Sequence, residues 1–112
     1  MKKYLLNSAV ITSEGVYSYR IINLDKAKEW LKDYDWISTI GYEQTALALK
    51  EITGIQIPVV RKTIMMKVDD EALVFRLVFP PGTKRIDPKQ KGKLSKKFIL
   101  NNCEIGLLKR IK

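Results

Sequence analysis

The apolar and polar positions of the chain repeat with two different periods. Lys3 to Thr12 carries Tyr4, Leu5, Leu6, Ala9, Val10 and Ile11 around a polar Asn7-Ser8 pair. That pattern predicts a strand interrupted where two small polar side chains face a site or a bulge. Ser13-Glu14-Gly15 reads as a turn, and Val16 to Leu24 alternates as a second strand. Asp25 is placed to cap a helix whose Ala27, Trp30 and Leu31 fall at 3–4 spacing. Trp36 to Ile40 is short and β-branched and ends at Gly41. A helix from about Tyr42 to Thr53 follows, with Ala46, Leu49 and Ile52 on one face and Gly54 as its left-handed stop.

Beyond Ile55-Gln56-Ile57-Pro58, the chain predicts a strand near Lys62 to Val68 and an acidic turn at Asp69-Asp70-Glu71. Ala72 to Phe79 is apolar at every position except Arg76, which places it centrally in a sheet covered on both sides. Pro80 to Lys93 is a long Pro/Gly/Lys loop of the kind that often carries function. Ser95 is placed to cap a short helix through Asn102, and Glu104 to Ile111 reads as the last strand. The expected fold is a single α/β domain over 1–112, with one mixed sheet of about five strands flanked by about three helices.

Length and composition fit that domain. The 112 residues are 46% hydrophobic and 29% charged, a globular balance. One cysteine, Cys103, forbids an internal disulfide, and with no histidine a Ser-His or Cys-His triad or a His-based metal site is excluded. The opening Met1-Lys2-Lys3-Tyr4-Leu5-Leu6 is broken by Asn7 and lacks a small-residue cleavage site, so it does not read as a signal peptide. No run approaches the ~18 apolar residues of a membrane span. The expected location is a reducing cytoplasm, with no membrane partner, no cofactor and no metal.

Charge changes the picture at one end. The net charge is +9, and from Pro80 to Lys112 ten basic side chains face only Asp87 and Glu104, so +8 of it lies there. Such a block attracts polyanions, or it keeps a loop solvated. Long nucleic acid is the weaker partner, because Phe98 is the only aromatic residue in that third and no standard recognition motif is present.

Three features are placed to meet an anion. The helix start at Ile40-Gly41-Tyr42-Glu43-Gln44-Thr45 exposes unpaired N–H groups and a partial positive charge. There Gly41 lets a ligand approach the backbone, and Gln44 and Thr45 add donors; the alternative is an ordinary capped helix. Arg61 and Arg76 carry planar forks suited to phosphate, or they form structural ion pairs. Arg76, in an apolar strand, needs solvent, a carboxylate or an anionic ligand. Asn7 and Ser8 are the third feature, able to hydrogen-bond a base or a phosphate. The Asp69-Asp70-Glu71 group lacks the spaced partners of a metal site.

The same pieces stand in a known order. Leu5-Leu6-Asn7-Ser8-Ala9, Ile40-Gly41-Tyr42-Glu43-Gln44-Thr45-Ala46, Gly54 to Arg61 (Gly-Ile-Gln-Ile-Pro-Val-Val-Arg), Asp70 to Leu77 (Asp-Glu-Ala-Leu-Val-Phe-Arg-Leu) and the ending Glu104 to Ile111 form a series. It resembles the viral ring nuclease family that antagonises type III CRISPR defence, over nearly the whole chain. The resemblance implies a homodimer enclosing one cyclic tetra-adenylate. It also implies metal-independent cleavage, in which a ribose 2′-hydroxyl attacks the adjacent phosphate in line and a histidine protonates the departing 5′-oxygen. Carried over, Asn7 and Ser8 match the ligand-contacting strand end, Gln44 and Thr45 the helix-start contacts, and Arg61 a phosphate-binding arginine.

The departures bear on function. Tyr42 stands where the family has its histidine, and Phe79-Pro80-Pro81-Gly82 replaces a longer segment that carries an arginine and a glutamate. Arg76 falls where relatives often have glutamine, placed to supply the missing phosphate contact. A tyrosine hydroxyl ordinarily titrates near ~10 against ~6.5 for histidine, so it does not cycle as an acid at neutral pH. Three departures in one site imply a counter-defence protein of a virus or mobile element that captures a cyclic oligonucleotide, foremost cyclic tetra-adenylate, and cleaves it slowly or not at all. The alternatives are an active nuclease or a binder for another cyclic nucleotide, and a basic nucleic-acid-binding protein.

Overall fold

In the computed structural model, which describes residues 2–8, 13–78 and 96–112, the two periods resolve into five strands and three helices. Their order is β1 (Lys3–Leu6), β2 (Tyr17–Ile21), α1 (Leu24–Leu31), β3 (Trp36–Ser38), α2 (Glu43–Thr53), β4 (Glu71–Leu77), α3 (Lys96–Asn101) and β5 (Cys103–Arg110). The strands form one mixed sheet in the order β2-β5-β4-β1-β3. β1 pairs in parallel with both β3 and β4, while β5 runs antiparallel between β4 and β2.

β4 occupies the centre because its side chains need cover on both faces. Ala72, Leu73, Val74 and Phe75 are all fully buried. Leu73 and Phe75 meet Leu5, Ile105 and the apolar stripes of all three helices, including Leu31, Leu49, Ile52 and Ile99. Ala72 and Val74 face the other way and pack with Tyr4, Leu6, Leu108, Ile64 and Met66. Alternation along one strand thus feeds two apolar layers, the arrangement expected from its almost uniformly apolar sequence.

Some boundaries differ from the pattern, each for a local reason. α1 is capped by Asn23, whose side chain accepts from the Lys26 N–H at 2.9 Å, so Asp25 lies inside the first turn. No strand forms at 62–68. There Ile64 and Met66 bury against the back of the sheet while Met65 and Lys67 stay exposed. Its backbone is held by side chains instead of a ladder: the Met66 carbonyl accepts from Arg110 Nη1 at 2.7 Å and from Ser13 Oγ at 3.1 Å. β1 ends at Leu6, with Asn7 and Ser8 in a bend. The predicted continuation through Thr12, the Pro80–Lys93 loop and the Ser95 cap lie outside the described residues. Among the described residues no helix is long and apolar enough to cross a membrane.

The acidic turn carries a structural charge. Asp70 is 4% exposed and accepts from the Lys2 N–H (Oδ1, 2.9 Å) and the Lys67 N–H (Oδ2, 2.8 Å). Burial works to raise its pKa, but these two bonds and the nearby Lys2 charge outweigh it and hold the carboxyl below its ordinary value of 3.8. A carboxyl with a depressed pKa stabilises the fold fully above that ordinary value, and the contribution is lost as pH falls through the folded-state value. Asp70→Asn is therefore expected to cost about 1–3 kcal/mol at neutral pH. Urea unfolding should show the gap between variant and parent narrowing as the pH is lowered below 3.8.

Candidate functional site

β1, β3 and β4 are parallel, so their carboxyl ends emerge along one edge of the sheet, where ligands of open α/β sheets commonly bind. The Asn7-Ser8 bend, the β3–α2 turn and Arg76 all belong to that edge.

The β3–α2 turn is fixed by hydrogen bonds to two neighbouring segments. Thr39 donates both its backbone N–H and its Oγ1 to the Leu5 carbonyl, each at 2.9 Å. Ser38 Oγ donates to the Pro58 carbonyl at 2.6 Å, and Val60 N–H donates to the Ile40 carbonyl at 2.9 Å. The fully buried Ile40 side chain anchors the turn from below. Ser38 and Thr39 are themselves buried, and their hydroxyls are consumed by this scaffolding. They are support for the site rather than contacts to a ligand, a role that sequence alone does not distinguish.

α2 then begins with an open end. Its N-cap residue, Tyr42, is extended (φ −120°, ψ 124°) and makes no side-chain cap. The first helical bond runs from Ala46 N–H to the Tyr42 carbonyl at 3.1 Å, which leaves the N–H groups of Glu43, Gln44 and Thr45 without helical partners. Glu43 sets a carboxylate in the same turn. An anion arriving there meets the helix dipole and that opposing charge together. Gln44 is exposed and Thr45 half-buried at the same terminus.

Arg61 reaches this turn from the other side. Its Nε donates to the Gly41 carbonyl at 3.1 Å, and its Cζ lies 5.4 Å from the centre of the Tyr42 ring, a cation–π contact. A Cβ at position 41 would stand 2.8 Å from Arg61 Cγ. The open space at Gly41 is thus taken by Arg61, where the sequence suggested a place for ligand. The glycine is required by the close approach of that arginine.

Arg76 is not at the turn but two strands away, and it is already paired. Its Nε donates to Glu104 Oε2 at 2.7 Å, the residue directly opposite it in the β4–β5 register. Tyr19 Oη donates to the same oxygen at 3.1 Å. Burial first, and then the Glu104 bond, push the Tyr19 hydroxyl above its ordinary pKa. Replacing a phosphate contact would require Arg76 to share or exchange Glu104. Asn7 and Ser8 are half-buried, and neither side chain is hydrogen-bonded among the described residues. The structure therefore assembles Gly41, Tyr42, Gln44, Thr45 and Arg61 in one place, with Asn7 and Ser8 on the same sheet edge. Arg76 stands apart in a pair with Glu104, the ion-pair alternative expected for it.

Among the described residues no group of three or more Cys, Asp or Glu side chains is arranged to hold a metal ion. Cys103 is half-buried, and burial pushes its thiol up, away from the reactive thiolate.

Comparison with known proteins adds kinship. The model of the family described as STIV B116-like matches residues 3–97. An uncharacterised protein of Bacillus subtilis, YddF, is 42% identical over 79 residues, covering 69% of this chain and 73% of YddF. Uncharacterised protein 26 of a Sulfolobus islandicus filamentous virus is 34% identical over 74 residues, covering 62% of this chain and 63% of its own length. The solved structure of B116 from Sulfolobus turreted icosahedral virus superposes with a TM-score of 0.78 at 20% identity, covering 98% of this chain and all of B116. That likeness establishes a shared fold.

Gly41→Ala tests the packing at the turn. It is expected to cost about 1 kcal/mol, because Arg61 Cγ lies close to its own backbone and must turn to another rotamer to admit the methyl, although the fold stays intact. It should nevertheless break the Nε bond to the Gly41 carbonyl, seen as faster solvent exchange of the Arg61 Nε–H resonance in NMR spectra.

Proposed function

Because this chain belongs to the STIV B116-like family, of which viral members are known, we propose that it binds a cyclic oligonucleotide second messenger, foremost cyclic tetra-adenylate, and holds it more than it cuts it. Two copies of the chain enclose one ring, and its removal from solution silences a CRISPR-type antiviral signal. The observation that carries this reading is Tyr42 at the start of α2. The turn retains the open helix N-terminus, the adjacent Arg61 and the Asn7-Ser8 strand end, but a tyrosine stands where the resembling ring nucleases have their histidine.

The chemistry follows from that exchange. In-line attack by a ribose 2′-hydroxyl on the neighbouring phosphorus forms a cyclic 2′,3′-phosphate and breaks the bond to the 5′-oxygen. The 5′-oxygen leaves as an alcohol only if it takes up a proton. Positioning of the 2′-hydroxyl and the leaving oxygen survives the loss of histidine, because it depends on the fixed turn and on phosphate contacts. Proton delivery does not survive, and general acid catalysis is typically worth about 10²–10⁴-fold. The reading is capture with at most slow turnover. Arg61 supplies the positive charge beside the open helix end, and the Glu43 carboxylate keeps non-specific anions from binding tightly there.

Incubation of the pure protein with radiolabelled cyclic tetra-adenylate, with products resolved by chromatography, tests this directly. The expected result is stoichiometric retention of intact ring, one per two chains. Absence of binding, or rapid multiple turnover, overturns it. Restoring the acid by Tyr42→His is expected to raise the cleavage rate by about 10²-fold or more while the ring is still bound.

A further inference from the structure

Tyr42 is unusual in having one supported ring face while the residue remains 57% exposed. A large aromatic side chain at a helix N-cap ordinarily either packs into the core or gives way to a small capping residue. Here it does neither, since it makes no cap bond and contributes nothing to either buried cluster. Its rotamer is held by Arg61, which is in turn fixed by the Nε bond to the Gly41 carbonyl and admitted by the missing Cβ of residue 41. The terminal nitrogens of Arg61 make no other hydrogen bond among the described residues.

From this arrangement we infer that Tyr42 is a nucleobase platform: a flat purine stacks on the ring face away from Arg61, and the Arg61 guanidinium takes the phosphate of the same nucleotide. The inference rests on, and sharpens, the reading of the site as a nucleotide binder, because it names the part of the ligand that Tyr42 touches. Three properties favour stacking over proton transfer. The ring already has Arg61 against one face before ligand arrives, so less side-chain freedom is lost on binding. Aromatic–base stacking needs a rigid exposed π-face and no particular protonation state. A cation behind the ring leaves its other face as the one open to a planar partner. Tyr42 is then a binding residue whose hydroxyl is dispensable, and the site prefers purine to pyrimidine because the larger base covers more of the ring.

A linear tetra-adenylate carrying one 2-aminopurine reports this, since stacking quenches its fluorescence. Parent protein and Tyr42→Phe are expected to quench and bind alike. Tyr42→Leu, which leaves the exposed position apolar and the fold intact by circular dichroism, should lose the quench and weaken binding roughly ten- to a hundredfold. A matching linear tetra-uridylate should compete poorly. Quenching unchanged in Tyr42→Leu, loss of binding in Tyr42→Phe equal to that in Tyr42→Leu, or no quench by the parent protein overturns the platform. Cyclic tetra-adenylate is titrated in parallel. If the ring fails to bind while the linear probe still quenches through Tyr42, the messenger-capture reading falls and the platform stands.

Discussion

The candidate site depends on one backbone oxygen. The Leu5 carbonyl, in the last turn of the pleat before β1 ends, accepts both the N–H and the hydroxyl of Thr39. Leu5 itself is fully buried under the helices, so the acceptor cannot move without disturbing the core. Through this oxygen the end of β1 and the start of α2 become one rigid corner. The Asn7-Ser8 bend follows on one side of it and Gly41-Tyr42 on the other. The 58–61 segment is then stitched to the same corner by the Ser38–Pro58 and Ile40–Val60 bonds, which delivers Arg61. Buried hydroxyls that donate to fixed carbonyls rigidify such a corner more than their net stabilisation of about 1 kcal/mol each suggests.

Electrostatics at the corner are finely balanced. An open helix end and one arginine favour an anion, while Glu43 opposes it. A single monovalent anion gains little from that sum. A ligand that also brings a planar base, and that repeats its phosphates around a ring, gains far more, because each contact is made without further loss of translational freedom. The balance of charges therefore fits selectivity for a multivalent nucleotide better than affinity for free phosphate.

Much of this was legible in the sequence, for identifiable reasons. β4 at the centre followed from an apolar run too uniform for an exposed face, and α2 from its 3–4 spacing and the Gly54 stop, which indeed adopts φ 76°. The stretch 62–68 reads as a strand, and Ile64 and Met66 do alternate in burial with the exposed Thr63, Met65 and Lys67, yet no strand forms there. Alternation reports which side chains are buried, and it is silent on whether the backbone finds a ladder partner. Gly41 in the sequence implies room for a ligand, and only the fold shows Arg61 Cγ in that room. That Arg76 would need a carboxylate was legible, but Glu104 and Tyr19 as its partners were not, because the three come from three strands joined only by register. The roles of Ser38 and Thr39 were hidden for the same reason, since their acceptors lie 20 and 34 residues away.

The central claim is that the corner built on Leu5 holds a cyclic adenylate ring beside Tyr42. A crystal structure of the protein grown with cyclic tetra-adenylate tests it most directly. The account predicts one uncut ring lying across a two-fold axis between two copies of the chain, with a phosphate at Arg61 and an adenine on the Tyr42 ring. A ring bound elsewhere on the surface, or crystals in which the Tyr42–Arg61 corner stays empty at saturating ligand, would contradict it.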